Sequence, residues 1–172
     1  MVAAGLSFGD RRSLGFGLAR YTARGRLDRS FGQDAKVVTH FGSRRRVSPV
    51  EALAIQPNGK IVAAGWWSRA ARLSRFALAR YTSRGRLDAS LGHGGQVLTS
   101  FGPREVEPAA LLIRRDGKLV VAGDFTSPSG PAAVALARYK RDGTLDRSFG
   151  RGGRVVSKLY EYAYEGARAA VL

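Results

Sequence analysis

Cysteine is absent from the 172 residues, which excludes disulfide frameworks, Cys-ligated zinc or iron–sulfur sites and thiol catalysis. Histidine is almost absent too, and two side chains give zinc too few ligands of the right kind. No apolar run approaches the ~20 residues that a membrane helix needs, so no membrane span is expected. The opening Met1–Leu6 is short and has no basic leader, unlike a signal peptide. Arg11-Arg12 before Ser13–Gly17 has a faint likeness to a twin-arginine export signal. That apolar stretch is cut at Arg20, however, and returns later as an ordinary repeat segment. Acidic residues are scarce: 13 Asp+Glu stand against 29 Lys+Arg, for a net charge of +16. Of the 29 basic residues 24 are Arg, whose planar guanidinium suits bidentate contact with phosphate, sulfate or carboxylate.

What the chain has in quantity is glycine, 22 residues, within a composition that is 44% hydrophobic. That is too apolar for a disordered tail and points to a loop-rich globular protein. The glycines recur in register. Leu18-Ala19-Arg20-Tyr21 returns as Leu78–Tyr81 and Leu136–Tyr139, at spacings of 60 and 58 residues. Each copy leads into Gly-x-Leu-Asp, at Gly25–Asp28, Gly85–Asp88 and Gly143–Asp146, and then into Phe31-Gly32, Leu91-Gly92 and Phe149-Gly150. Gly94-Gly95 and Gly152-Gly153 follow in the last two copies, where the first has Asp34-Ala35. Upstream, Asn58–Gly65 matches Asp116–Gly123, and Met1–Gly5 is the end of the same phrase. The chain reads as one repeat domain, 1–172, with a partial first repeat at 1–60, a second at 61–118 and a truncated third at 119–172.

Within one period four short strands are expected, at about Ala52–Gln56, Lys60–Ala64, Phe76–Thr82 and Gln96–Phe101. Val, Ile, Leu, Tyr and Phe dominate them, and Gly, Pro, Ser or Asp punctuate them. Asn58-Gly59 predicts a tight type I′ hairpin. Four antiparallel strands repeating every 58–60 residues are the pattern of a β-propeller blade. Sheets packed on both faces also explain why Leu119–Ala122 is continuously apolar. The expectation is all-β, with about three blades. A closed ring of three would leave too wide an angle between neighbouring sheets, so a partial propeller or open array follows. The chain starts at a second strand, and Glu165–Leu172 aligns with the first-strand phrase Glu107–Ile113. An excerpt from a longer chain, an assembly that completes a ring, or an array with capped edges would each fit.

These phrases resemble the delta-60 repeat, a bacterial β-propeller repeat family. The third copy carries nearly all of its pattern, in Asp116–Gly123, Ala135–Tyr139 and Asp142–Gly153. The resemblance implies the propeller fold and a surface or secreted bacterial protein. It implies no enzymatic activity and supplies no catalytic residue.

In such blades the second–third and fourth–first connections share one rim. That rim varies between copies, while the rim of the Asn58-Gly59 and Asp116-Gly117 turns is nearly uniform. Loops on a rigid scaffold tend to carry function, and the variable rim gathers Arg11, Arg12, Arg44, Arg45, Arg46, Arg69, Arg72 and Arg75 around Trp66 and Trp67. Arginine with stacking tryptophan suits an anionic polymer, either polysaccharide or nucleic acid. The alternative is that these are solvated loops, with the tryptophans covering a blade edge.

Catalytic and metal sites are not expected. Gly5-Leu6-Ser7-Phe8-Gly9 matches a nucleophile-elbow pattern in letters only, because the aligned segments read as an ordinary loop and His40 and His93 fall at non-equivalent positions. Asp142, Asp146 and Asp116 form no repeated carboxylate cage, since the first of them is Arg24 and Arg84 in the other copies. Asp28, Asp88 and Asp146, with Arg20, Arg80 and Arg138, recur once per blade. A structural role is expected: a carboxylate accepting backbone N–H bonds in its own turn, with the Arg as a further donor. Tyr21, Tyr81 and Tyr139 are expected to pack, with the polar tip near the surface. The functional expectation is a non-enzymatic propeller scaffold, structural or binding a ligand or protein, with no cofactor. Its rivals are anionic-polymer binding at the Arg/Trp rim and a propeller enzyme completed by further blades.

Overall fold

A computed structural model describes residues 1–8, 14–42, 46–47, 49–70, 73–127 and 130–158. Among them are twelve strands and no helix. The strands are β1 (Val2–Phe8), β2 (Leu14–Arg20), β3 (Lys36–Thr39), β4 (Arg46–Val47), β5 (Ala52–Ile55), β6 (Ile61–Ala70), β7 (Leu73–Tyr81), β8 (Gln96–Thr99), β9 (Glu105–Ile113), β10 (Leu119–Ser127), β11 (Gly130–Tyr139) and β12 (Arg154–Lys158). They form three antiparallel sheets, β1-β2-β3, then β6-β7-β8 with β4 and β5 end to end along β6, then β9-β10-β11-β12. These are blades of a β-propeller, each a meander. The sheets change over after Thr39 and Thr99, one strand ahead of the 1–60, 61–118, 119–172 repeat frame. Residues 165–172 lie outside the described residues.

Several strands run further than their sequence predicts. The β6–β7 hairpin continues past Gly65, pairing Trp66 with Phe76 and Trp67 with Arg75. Large aromatics favour a pleated surface over a loop, so most of the expected variable-rim connection, Trp66–Arg75, is strand. Likewise β1 reaches Phe8, β10 reaches Ser127 and β9 begins at Glu105. The fourth strand of the second sheet ends at Thr99, short of Phe101. The broken first strand of that sheet has a local cause. Val50 and Glu51 separate Pro49 from Ala52, whereas Ala109 alone separates Pro108 from Ala110. A single extra residue is absorbed as a bulge at Ala122/Gly123, and two interrupt the ladder.

The Asn58-Gly59 turn is not type I′. Gln56 O accepts the Gly59 N–H at 2.8 Å, and Lys60 O accepts the Gln56 N–H at 2.8 Å. Gly59 alone is left-handed, with φ 78°. This is a three-residue loop, a type I turn closed by a glycine bulge. Pro57 suits the first turn position, and Asn58 Oδ1 accepts the Lys60 N–H at 3.1 Å. Asp116 takes the same role for Lys118 at 3.1 Å.

Both faces of the middle sheet are covered. Ile61, Ala63, Ala77, Ala79 and Tyr81 face Phe16, Leu18 and Phe31 of the first sheet. Val62, Ala64, Phe76 and Leu78 face Leu119, Val121, Ala135 and Tyr139 of the third. Large side chains of one sheet thus meet small ones and a tyrosine of the next. Burying each Phe or Leu contributes roughly 1.5–3 kcal/mol. Edge-on aromatic pairs repeat at the sheet ends: Phe16–Phe41 with centroids 4.8 Å apart, and Phe76–Phe101 at 5.0 Å.

The seams between sheets are also polar, in both directions. Tyr81 Oη donates to Thr39 Oγ1 at 2.8 Å, and Tyr139 Oη to Thr99 Oγ1 at 2.7 Å. Gln96 Nε2 donates to His40 O at 3.1 Å, and Arg154 to Ser100 O at 2.6 Å. In the opposite sense the Gly32 N–H donates to Arg84 O at 2.9 Å and the Gly92 N–H to Asp142 O at 2.7 Å. Tyr81 and Tyr139 are therefore buried to the hydroxyl, both 0% exposed, contrary to the expected surface tip. Burial pushes both phenols up.

Candidate functional site

The arginine/tryptophan rim is only partly within the described residues. Arg11, Arg12, Arg44, Arg45 and Arg72 lie outside them, while Arg46 and Arg69 are placed by backbone in β4 and β6. The remaining three are strand residues. Trp67 packs against the core between the first two sheets, and its Nε1–H donates to Phe41 O at 2.7 Å. The Arg75 guanidinium lies 5.7 Å from the Trp67 ring centroid. Trp66 is half-buried on the opposite face of β6. The two tryptophans are thus not brought together on one surface, and Trp67 is committed to packing.

The other rim is where a cleft opens. Between the second and third sheets, beside the Asn58-Gly59 and Asp116-Gly117 turns, lies a space of about 710 Å³. Its lining carries five cations, Lys60, Arg80, Arg114, Arg115 and Arg141, against one carboxylate, Asp142, with Ile55 and Ile113 supplying apolar wall. Three of the cations are ion-paired, two of them sharing one carboxylate. Asp88 holds Arg80 Nε at 2.6 Å and Lys60 Nζ at 2.8 Å. Asp116 lies 3.4 Å from Arg114. Arg141 Nε donates to Asp116 O at 2.8 Å, a bond that leaves its charge uncompensated. Arg115 is exposed and makes no ion pair or hydrogen bond among the described residues. The Gln56 carboxamide also lines the cleft, 9% exposed, with Oε1 buried and unpartnered.

Sequence reasoning misses this place because the turn rim reads as uniform. The repeat itself holds the signal. Arg114, Arg115 and Arg141 stand where the second copy has Gln56, Pro57 and Ser83, so the added charge is a departure from the pattern. A second cluster, of opposite sign, escapes it too. Glu107 is pushed up, first by burial and then by Glu51, Asp124 and Glu105, acids that converge around it. Among the described residues no group of three or more potential ligands could hold a metal ion.

The once-per-blade Arg and Asp residues are structural. Asp88 Oδ1 accepts Ser90 Oγ at 2.7 Å and the Ser90 N–H at 3.3 Å. Burial alone would raise its pKa, but Lys60, Ser90 and Arg80 outweigh that and hold the carboxyl well below the ordinary carboxylate range. Lys118 and then Ser148 do the same for Asp146, and Ser30 lowers Asp28. The arginines also reach across the seams: Arg80 donates to Arg141 O at 2.7 Å, and Arg20 to Ser83 O. Arg20 and Arg138 lie over the rings of Phe31 and Phe149, at 4.9 and 4.5 Å. The second copy has Leu91 at that position and offers Arg80 no ring. Ser7 of the formal elbow pattern sits within β1, paired with Gly15.

Residues 56–91 and 114–149 match the family model of a beta-propeller domain of unknown function, DUF5122. Each matched segment runs from the glycine-bulge turn through the second and third strands to the end of the Gly-x-Leu-Asp turn. The two lie in the same phase of the repeat. No curated protein matches the chain. Among the described residues no helix is long and apolar enough to cross a membrane.

Proposed function

We propose that this chain is a non-enzymatic propeller scaffold that binds an anionic partner in the cleft between its second and third sheets. The observation that carries the reading is the unbalanced charge of that cleft, centred on Arg115 and Arg141, in a space of ligand size. The charged residues that repeat in every blade support the absence of catalysis. Each repeated carboxylate is held by the arginine and serine of its own blade, so these residues do not form a ring of free acid–base sites. The Arg/Trp rim is the weaker place for the partner, because Trp67 already spends its N–H on Phe41 O.

Immobilised heparin serves as the probe. Arg114→Ala/Arg115→Ala is expected to elute at lower salt than the parent, as cation–anion contacts are screened. Arg44→Ala/Arg45→Ala/Arg46→Ala is expected to elute with the parent. If the cleft variant elutes unchanged, the assignment fails; if only the rim variant shifts, binding belongs to the rim.

A further inference from the structure

The two outer faces of the array are the two halves of the seam that is already made twice inside it. On the third sheet, β11 alternates: Ala133, Ala135, Ala137 and Tyr139 are buried against the second sheet, while Val134, Leu136 and Arg138 on the other face are only half-buried. One blade earlier, the same positions are Phe76, Leu78 and Arg80, at 0%, 0% and 4% exposure. At the opposite end, Ala3 is exposed and Ala19 and Tyr21 are half-buried, where Ala63, Ala79 and Tyr81 of the second sheet are all at 0%. Among the described residues, the half-buried large residues of the last face and the partly exposed small residues and tyrosine of the first are the combination that packs at both internal seams.

The polar groups match in the same way. At the last face the Gly150 N–H and the Arg138 nitrogen equivalent to the one that Arg80 extends to Arg141 O make no hydrogen bond among the described residues. Ser157 stands where Thr39 and Thr99 accept a tyrosine hydroxyl. At the first face the Tyr21 hydroxyl lacks a partner among the described residues, and Lys36 occupies the donor position of Gln96 and Arg154. Ala23 and Arg24 occupy the positions of Ser83 and Arg84, whose backbone carbonyls are the acceptors at the internal seam.

We infer that the last face docks the first face of a second copy of this chain, head to tail, reproducing the internal seam. Two copies joined this way at both ends form a closed ring of six sheets, within the 4–8 blades that propellers use. The contact is heterologous, because each copy contributes two different surfaces.

The test uses the 172-residue chain in sedimentation equilibrium, with far-UV circular dichroism as a control for folding. The parent is expected at twice the chain mass of 18.5 kDa. Leu136→Glu on the last face and Ala19→Arg on the first are each expected to give folded monomers. An equimolar mixture of the two variants is expected to regain a dimer, since each keeps the face the other has lost. A two-fold interface between like surfaces would not be rescued by mixing. A parent that stays monomeric at all concentrations, a dimer that survives either variant, or a mixture that does not associate overturns the inference. Open polymers in place of a dimer overturn the closed ring.

Discussion

The buried Tyr139–Thr99 bond offers a direct measure of what joins one blade to the next. Both groups are inaccessible, Tyr139 at 0% and Thr99 at 4% exposure, and their oxygens are 2.7 Å apart. Replacing Tyr139 with Phe leaves Thr99 Oγ1 buried without its donor, and replacing Thr99 with Val strands the phenol. A net hydrogen bond contributes about 1 kcal/mol, and an abandoned buried partner adds to its loss, so each single change should cost about 1–2 kcal/mol. Removing both partners leaves nothing unsatisfied, so the double variant should cost little more than either single one. The coupling is then about 1 kcal/mol. Urea unfolding at one fixed protein concentration measures it, with an unchanged slope showing that the same surface is exposed. Tyr81→Phe and Thr39→Val provide an internal repeat of the cycle on the other seam, where the bond is 2.8 Å. If the single costs simply add at both seams, these hydroxyl pairs do not hold the blades together.

Two further changes test the turns. Asp88→Ala removes the acceptor of Arg80, Lys60 and Ser90 and should cost about 3 kcal/mol, near the lower end for a broken buried pair because Arg80 keeps its bond to Arg141 O. Asp88 is held below its unfolded pKa, so its stabilisation is present above roughly pH 4 and is lost as pH falls through the lower folded value. The gap in Tm between parent and Asp88→Ala should therefore close on acidification below that point, and a gap constant down to strong acid would contradict the linkage. Ala35→Gly should stabilise, because Ala35 holds φ 69° where the other copies place Gly95 and Gly153. Relieving the left-handed Cβ clash, less the entropy that glycine adds to the unfolded chain, leaves roughly 0.5–1 kcal/mol. A scanning calorimeter should register this as a rise of about 1–4 °C.

Periodicity makes the blades readable, since a phrase that returns every 58–60 residues must be packed against its own kind. The Arg20–Asp28, Arg80–Asp88 and Arg138–Asp146 pairs are readable for the same reason, each eight residues apart within one copy. What joins different copies is harder to see. Tyr139 meets Thr99 from 40 residues away, although Thr39-His40-Phe41-Gly42 and Thr99-Ser100-Phe101-Gly102 are themselves a repeated phrase. Turn chemistry misleads at Asn58-Gly59, where the dipeptide suggests two left-handed residues but Pro57 and the Asn58 side chain favour a type I turn. At Trp66-Trp67 the preceding glycine looks like a strand end, and pairing with β7 outweighs it. The cleft is hidden because three arginines that break the repeat sit among turns that otherwise keep it.

Because every seam is tied from both sides by the same set of groups, neighbouring blades are interlocked as a standard coupling. A change of length by one whole repeat creates or removes one coupling and leaves the others intact, whereas a fractional insertion would misalign donors and acceptors along the joint. The architecture is therefore expected to grow and shrink in whole modules, with stability rising stepwise as couplings accumulate.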